Sequence, residues 1–385
     1  MSNNFPTIGQ YNLNVLEKGS ASFNTLNRIN LLPSRNVPFK YYLFGSGAFA
    51  VVFKGSIDNK LCAIRCFLST QDDTISRYKI ICSHLKNINA SWKTECVLIE
   101  NEININNKSF PVLKMDWVNG LLINEFVTQN LSNNNVLRTL QIKLVELSES
   151  LELNKIGHGD LQSGNIIIIG TPFNFQIKLI DFDGMYVPEL ANKNSIEKGR
   201  SEFQHPKRTA KDFNAEMDRF SFWVMNTALE ALQYDKTLWK EVMQGGFNNL
   251  DNFLFTIQDF LKPIQSTLFN RLIKINSPSL NFYVSTLKAV CNGTNLDIPK
   301  PSLYFENSKH LSVAQNLKTY NTPKFQITTN CISAFVLSSS FTKLGSTPLE
   351  LDKNTYEGKV ILVSNGKETK RIMLYANLSL VEVKF

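Results

Sequence analysis

Two short runs of this chain carry side chains spaced for phosphate chemistry. His158-Gly-Asp-Leu-Gln-Ser-Gly-Asn165 sets a carboxylate, Asp160, five residues before a carboxamide, Asn165. Leu179-Ile-Asp-Phe-Asp-Gly184 sets a second carboxylate, Asp181, at the end of an apolar run from Phe175 to Ile180. Phosphoryl transfer asks for such a set: one acid to accept or orient a hydroxyl proton, and two oxygen ligands to hold Mg²⁺ against the phosphates of ATP. The pattern is specific because two spaced motifs must coincide in order. Asp183 also precedes a glycine and competes for the metal role. The strand expected over Ile177-Lys-Leu-Ile180 leads straight into Asp181, which favours Asp181. A third run, Gly45-Ser-Gly-Ala-Phe-Ala-Val-Val-Phe-Lys-Gly55, carries glycines 45 and 47, which would let backbone N–H groups approach a phosphate between two strands. Taken alone it reads better as an ordinary hairpin. Its place ahead of a second strand and upstream of Asp160 reverses that preference.

These residues need elements to position them. From 41 to 119 the pattern is strand-like: Tyr41-Phe44, Ala50-Lys54, Leu61-Cys66, Val97-Ile99 and Pro111-Trp117 are β-rich and bounded by turn residues. One helix interrupts them, since Tyr78, Ile81 and Leu85 recur at helical spacing between Ser76 and Leu85. After Val118-Asn-Gly120 helical patterns take over, as in Val136-Leu151 and Phe220-Leu232. The expectation is an α+β, bilobal arrangement: a β-rich lobe over 41–119 and a helical lobe over 120–300. Residues 1–40 are polar and read as an irregular N-terminal extension. A polar linker is expected at 301–323, after Pro299-Lys-Pro301. Residues 324–385 then alternate between apolar and polar with Gly, Asn and Ser turns, which predicts a small all-β module.

Composition bounds the function. Hydrophobic residues make up 43% and charged residues 19%, ordinary for a folded globular chain. The net charge of +8 is spread along the sequence without a Lys/Arg block, so no nucleic-acid partner is expected. The six cysteines form no C-x-x-C pair, and buried free thiols in a reducing compartment are expected. No apolar run is long enough to span a bilayer, and the first residues lack a signal-peptide pattern, so a cytoplasmic protein without a membrane partner is expected.

Taken together, Ser46-Gly-Ala-Phe-Ala-Val-Val-Phe53, Ala63-Ile-Arg-Cys-Phe67, Arg77-Tyr78, Lys114-Met-Asp-Trp-Val-Asn-Gly120, His158 to Asn165, Leu179-Ile-Asp-Phe-Asp-Gly-Met-Tyr-Val-Pro188 and Phe203-Gln-His-Pro206 resemble a bacterial family of eukaryotic-like Ser/Thr protein kinases. The resemblance spans about residues 40–235. It implies ATP and Mg²⁺ bound between two lobes, Asp160 as catalytic base, Asn165 and Asp181 as metal ligands, and Gly45 and Gly47 over the phosphates. It also implies a hinge at Met115-Asp-Trp-Val118 that meets adenine through its backbone, at Asp116 and Val118. The substrate would be a Ser/Thr hydroxyl of a protein that the sequence does not name. Asp218 would accept hydrogen bonds from the catalytic-loop backbone, and His205 reads as a packing residue.

Several positions depart from ordinary kinases. Arg65 stands where a phosphate-binding Lys is expected, and Arg is not interchangeable with Lys. No acidic residue lies between Asp73 and Glu95 to hold it, so Asp183 is the candidate that charge balance offers. Gly159 replaces an Arg that reads a phosphorylated activation loop, and Gln162 replaces a Lys near the γ-phosphate. These changes keep two alternatives open: a nucleotide-binding pseudokinase that signals by conformation, and a small-molecule phosphotransferase with the H-G-D-L-x-x-G-N pattern. The C-terminal piece, with Leu344-Gly-Ser-Thr-Pro-Leu-Glu-Leu351, is similar to PEGA-type β modules, which implies an accessory surface for a protein partner.

Overall fold

The computed structural model describes residues 5–34, 41–47, 49–68, 73–244, 252–293, 296–304, 324–330, 334–339, 343–365, 368–375, 378 and 380–385. The chain divides into two compact units, Met1–Ser302 and Leu303–Phe385. Among the described residues, helix accounts for 36% and sheet for 27%. The strands pair antiparallel with one exception, between Lys324–Thr329 and Leu380–Val383, so the class is α+β.

The first unit begins with helix α1 (Ile8–Lys18), where an irregular arm was expected. A capping box starts it: the Thr7 hydroxyl accepts from the Gln10 N–H at 3.3 Å, and the Gln10 side chain accepts from the Thr7 N–H at 2.8 Å. Tyr11 and Val15, four residues apart, bury fully on one face, while Leu13 and Leu16 stay about half exposed. Apolar residues on both faces blur the helical period, which is why the polar sequence hides it. The chain then adds a short edge strand, β1 (Asn30–Leu31). Glu102 fixes this connection, since its buried carboxylate accepts from the Thr25 N–H and hydroxyl and from the Leu26 N–H.

Five further strands complete the first sheet: β2 (Leu43–Ser46), β3 (Ala50–Ile57), β4 (Lys60–Phe67), β5 (Cys96–Ile105) and β6 (Lys108–Asp116). Their order is β1-β3-β4-β6-β5, with β2 also on β3. Val51, Phe53, Ile64, Cys66, Ile103 and Val112 point into one core with Tyr11, Val15, Phe23 and Ile29. Helix α2 (Thr74–Lys86) follows β4 and buries Tyr78, Ile81 and Leu85, at the expected spacing.

Beyond the sheet come β7 (Leu121–Leu122), α3 (Ile123–Asn130), α4 (Asn134–Leu153) and the hairpin β8 (Ile166–Thr171) and β9 (Asn174–Leu179). Helix α5 (Arg219–Tyr234) packs against α4 and the later helix Pro278–Asn292. Its residues from Phe220 to Leu232 are all buried, so it forms the centre of this part rather than a surface helix.

The second unit holds a three-stranded sheet (Lys324–Thr329, Leu349–Asp352, Leu380–Val383) and a four-stranded one (Phe335–Ser338, Lys343–Ser346, Val360–Ser364, Thr369–Met373). Phe325, Ile327, Val336, Ile361 and Val363 make its own core. A four-residue helix, Lys353–Tyr356, interrupts the strands, a departure from the all-β expectation. Ala48, Cys331 and residues 305–323 of the expected linker lie outside the described residues. Among the described residues no helix is long and apolar enough to cross a membrane.

Candidate functional site

A cavity of about 620 Å³ opens between the first sheet and the segments that follow β7. Gly45, Gly47, Arg65, Asp116, Val118, Asp160 and Asp181, far apart in sequence, all line it. Asn165 and Gln162 stand one bond back, on Asp160.

The loop from His158 to Asn165 is built on its own backbone. The buried Asp218 carboxylate caps it from the start of α5, accepting from the His158 N–H at 2.5 Å and the Gly159 N–H at 2.9 Å. Burial pushes this carboxyl up, and His158 and Arg208 oppose the shift. Gly159 adopts φ +85, and a Cβ there would lie 2.3 Å from the Gly184 carbonyl oxygen, so the Arg of ordinary kinases has no room. Arg208 fastens this loop from another segment. That buried guanidinium donates through Nη1 to the carbonyls of Gly159 (2.9 Å) and Lys198 (3.1 Å) and to the Gln204 side chain. It therefore binds the loop to the segment 198–204 without a phosphate.

Asp160 is oriented from three sides. Its Oδ2 accepts from Asn165 Nδ2 at 2.9 Å and, more weakly, from Gln162 Nε2 at 3.4 Å, and its Oδ1 accepts from the Arg200 N–H at 3.0 Å. Gln162 also accepts from the Gly164 N–H at 3.1 Å. Gln162 thus holds the turn and the acid, and it is not among the cavity-lining residues, in contrast to the γ-phosphate neighbour expected at this position. Asn165 also donates Nδ2 to the Asp160 carbonyl at 2.8 Å, which leaves its amide oxygen as the atom that could face a cation.

Arg65, on β4, is gripped by three partners. Its Nη1 donates to Asp181 Oδ1 at 2.8 Å and to the Tyr78 hydroxyl at 2.7 Å, and its Nη2 donates to Asp183. The Tyr78 hydroxyl in turn donates to Asp183. Tyr78 comes from α2, the helix in which no acid exists, so a phenol bridges the cation and a remote carboxylate. Asp183 and Arg65 are each 13% exposed, while Asp181 is 42% exposed. Asp183 is committed to the buried grip, and Asp181 keeps an open side towards the cavity. Burial would raise the Asp181 carboxyl, but Arg65, then His158, hold it below the usual range. Burial raises Asp183, with Arg65 opposing and Asp181 adding. Asp181 adopts φ +63, a left-handed conformation that a non-glycine residue keeps only when its surroundings impose it.

The glycine loop is a hairpin in which Gly45 pairs with Val52 and Ser46 with Val51. The Gly47 N–H closes the turn on the Ala50 carbonyl at 2.9 Å. At the hinge, the Asp116 and Trp117 N–H groups donate to the Glu95 and Leu61 carbonyls (3.0 and 3.1 Å), and Lys60 pairs with the Asp116 side chain at 2.9 Å.

Sequence reasoning passed over three groups. Tyr78 showed as a core position of a helix and within the resemblance, with no sign of its bridging role. Arg208, two residues past Pro206, gave no signal apart from its charge. Glu197 lines the same cavity, and burial, followed by Asp183, Asp181 and Asp160, pushes its carboxyl up to about 8. His205 packs as expected, with Nε2 3.1 Å from the Val290 carbonyl.

No known family matches this chain, and no curated protein matches it. Function is therefore argued from the geometry.

Proposed function

We propose that the chain is an ATP- and Mg²⁺-dependent protein kinase that transfers the γ-phosphoryl group to a Ser/Thr hydroxyl. The observation that carries this reading is the convergence of Asp160 and Asp181, from separate segments, on one cavity that Gly45 and Gly47 also line, with Asn165 hydrogen-bonded to Asp160 directly behind it. The antiparallel sheet with α2, the helical part centred on α5, and the Asp218 cap fit a bilobal kinase fold. A Cβ at Gly45 or Gly47 would meet nothing within 4 Å, so packing does not demand glycine there, whereas close approach of a phosphate would. With the Asp116 and Trp117 N–H groups committed, the Asp116 carbonyl and the Val118 N–H are the hinge atoms assigned to adenine.

The donor set fits a hard divalent cation: Asp181 gives carboxylate oxygen and Asn165 gives amide oxygen. Among the described residues no cluster of three His, Cys, Asp or Glu side chains forms a closed metal cage. Mg²⁺ favours such sparse sites, completed by phosphate oxygens and water. When bound, it would neutralise charge on the β- and γ-phosphates. Asp160 orients the acceptor hydroxyl and takes its proton. Oδ1 is the oxygen for that role, since Oδ2 receives both Asn165 and Gln162 whereas Oδ1 receives the Arg200 N–H. Arg65 contributes positive charge beside the phosphates while holding Asp181 ionised. The Arg208 fastening supports activity without phosphorylation of the segment it holds. The acceptor is a protein, and the second unit is assigned the role of a protein-binding accessory.

One observation favours a second reading, a nucleotide-binding pseudokinase. Arg65 already occupies an oxygen of Asp181, the proposed metal ligand. Incubation with γ-labelled ATP and Mg²⁺ decides between them. Wild type is expected to label itself or an added protein, and Asp160→Ala to lose that label by a factor of about 10²–10⁴. Unchanged labelling in Asp160→Ala would remove the mechanism. Mg²⁺-ATP that stabilises the fold without any transfer would favour the second reading.

A further inference from the structure

Outside the phosphate site, two buried thiols face each other across the seam between α2 and the sheet. Cys82 lies on α2, four residues beyond Tyr78, and Cys96 opens β5. Their sulfurs are 2.9 Å apart, and the two residues are 9% and 8% exposed. In sequence these cysteines gave no pairing signal, because neither belongs to a short-spaced motif. The fold alone brings them together, and it does so next to functional elements. Cys96 pairs across the sheet with Met115, which lines the cavity, and α2 carries Tyr78 to Arg65 and Asp183 and His84 to Glu189.

We propose that Cys82 and Cys96 are a modification site: a peroxide-class oxidant closes them into a reversible disulfide that ties α2 to β5. The order of reaction follows from the contact. The two sulfurs share a hydrogen bond in which either thiol can donate, and the Leu98 N–H faces the Cys82 sulfur. The hydrogen bond with Cys96 holds the Cys82 thiol below its ordinary range, while that bond and burial raise Cys96. Cys82 is therefore the attacking thiolate. It attacks one peroxide oxygen, the O–O bond breaks, the departing hydroxide takes up a proton to leave as water, and Cys82 becomes a sulfenic acid. The Cys96 sulfur then attacks the Cys82 sulfur, the S–O bond breaks, a second water leaves, and the S–S bond forms. The two thiols lose two electrons and two protons, and peroxide is reduced to two waters.

The tie would fix α2 one turn from Tyr78 and so hold the grip on Arg65 closed. That consequence for phosphate handling rests on the proposed kinase activity; the crosslink does not. The full reduced chain is treated with one equivalent of hydrogen peroxide, blocked with a thiol reagent, digested and mapped by mass. The expected result is a Cys82–Cys96 crosslinked peptide, an intact chain lighter by two hydrogen atoms, and full reversal by dithiothreitol. In Cys96→Ser, a sulfenic acid at Cys82, captured by dimedone, is expected in place of the crosslink. Oxygen addition without the crosslink, or two thiols that stay alkylatable after peroxide, would overturn the proposal; wild-type mapping gives this answer even where the variant does not fold. Phosphate transfer without a crosslink would sink the disulfide alone. A crosslink in a chain that transfers nothing would sink the kinase reading alone.

Discussion

Tyr78 does with a neutral phenol what a carboxylate on the same helix would do with charge. Its oxygen accepts from Arg65 while its proton goes to Asp183, so removing the hydroxyl leaves two buried charged groups short of a partner. Tyr78→Phe is expected to destabilise the first unit by about 1–3 kcal/mol, read as a lower urea midpoint, and to raise the KM for ATP because Arg65 loses its position. A midpoint equal to wild type would show that the bridge is idle. Glu197 makes a different prediction. Its carboxyl titrates near 8 against an ordinary 4.5, so the folded state holds a proton that the unfolded chain has released between those values. Stability therefore falls as pH rises through that window. Glu197→Gln, which cannot ionise, is expected to flatten the fall in melting temperature between about pH 5 and pH 8. A slope equal to wild type would relieve Glu197 of that role. At this scale the sequence exposed Asp160, Asn165 and Asp181, because spacing within a loop survives as pattern. The partnership of Arg65 with Asp183 was legible only as a missing acid. The bridging role of Tyr78 and the fastening role of Arg208 were silent, since their partners come from segments 13 to 105 residues away.

Elements here serve as anchors for loops. Helix α5 is buried from Phe220 to Leu232, so the cap at its start, Asp218, is a fixed point in the core, and the loop from His158 inherits that rigidity. Asp218→Ala would leave two backbone N–H groups buried without acceptors, a loss on the order of 3 kcal/mol. Thermal melts should fall accordingly, and transfer activity should fall further than the loss of folded protein explains. Activity that tracks the folded fraction alone would reduce Asp218 to packing. The strands and α2 were legible because apolar alternation and helical spacing were clean. Several ends moved outward where backbone pairing continues past the last apolar position, as when Val97-Ile99 became Cys96–Ile105 once Ile103 paired with Phe110, while the start of Tyr41-Phe44 moved in to Leu43.

Each unit carries its own core, and the described residues that line the cavity belong to the first. A fragment ending at Ser302 is therefore expected to fold, with Mg²⁺-ATP raising its melting temperature as in the full chain. Loss of that response in a folded fragment would make the second unit part of the nucleotide site. The division into an α+β unit and a strand-rich unit followed from composition and pattern, with a boundary near Pro299-Lys-Pro301. Residues 8–31 did not, because their burial depends on a sheet that forms later in the chain. Tyr11 donates its hydroxyl to the Phe67 carbonyl at 2.8 Å and shares a core with Phe53, Ile64 and Ile103. This opening stretch is thus a lid on the back of the sheet. For anyone trimming the gene, residue 41, where strands first become readable, is the wrong place to cut. The shortened protein would present a bare greasy face to water and to other copies of itself, and its failure would look like insolubility, with no hint that an apparent tail was part of the core.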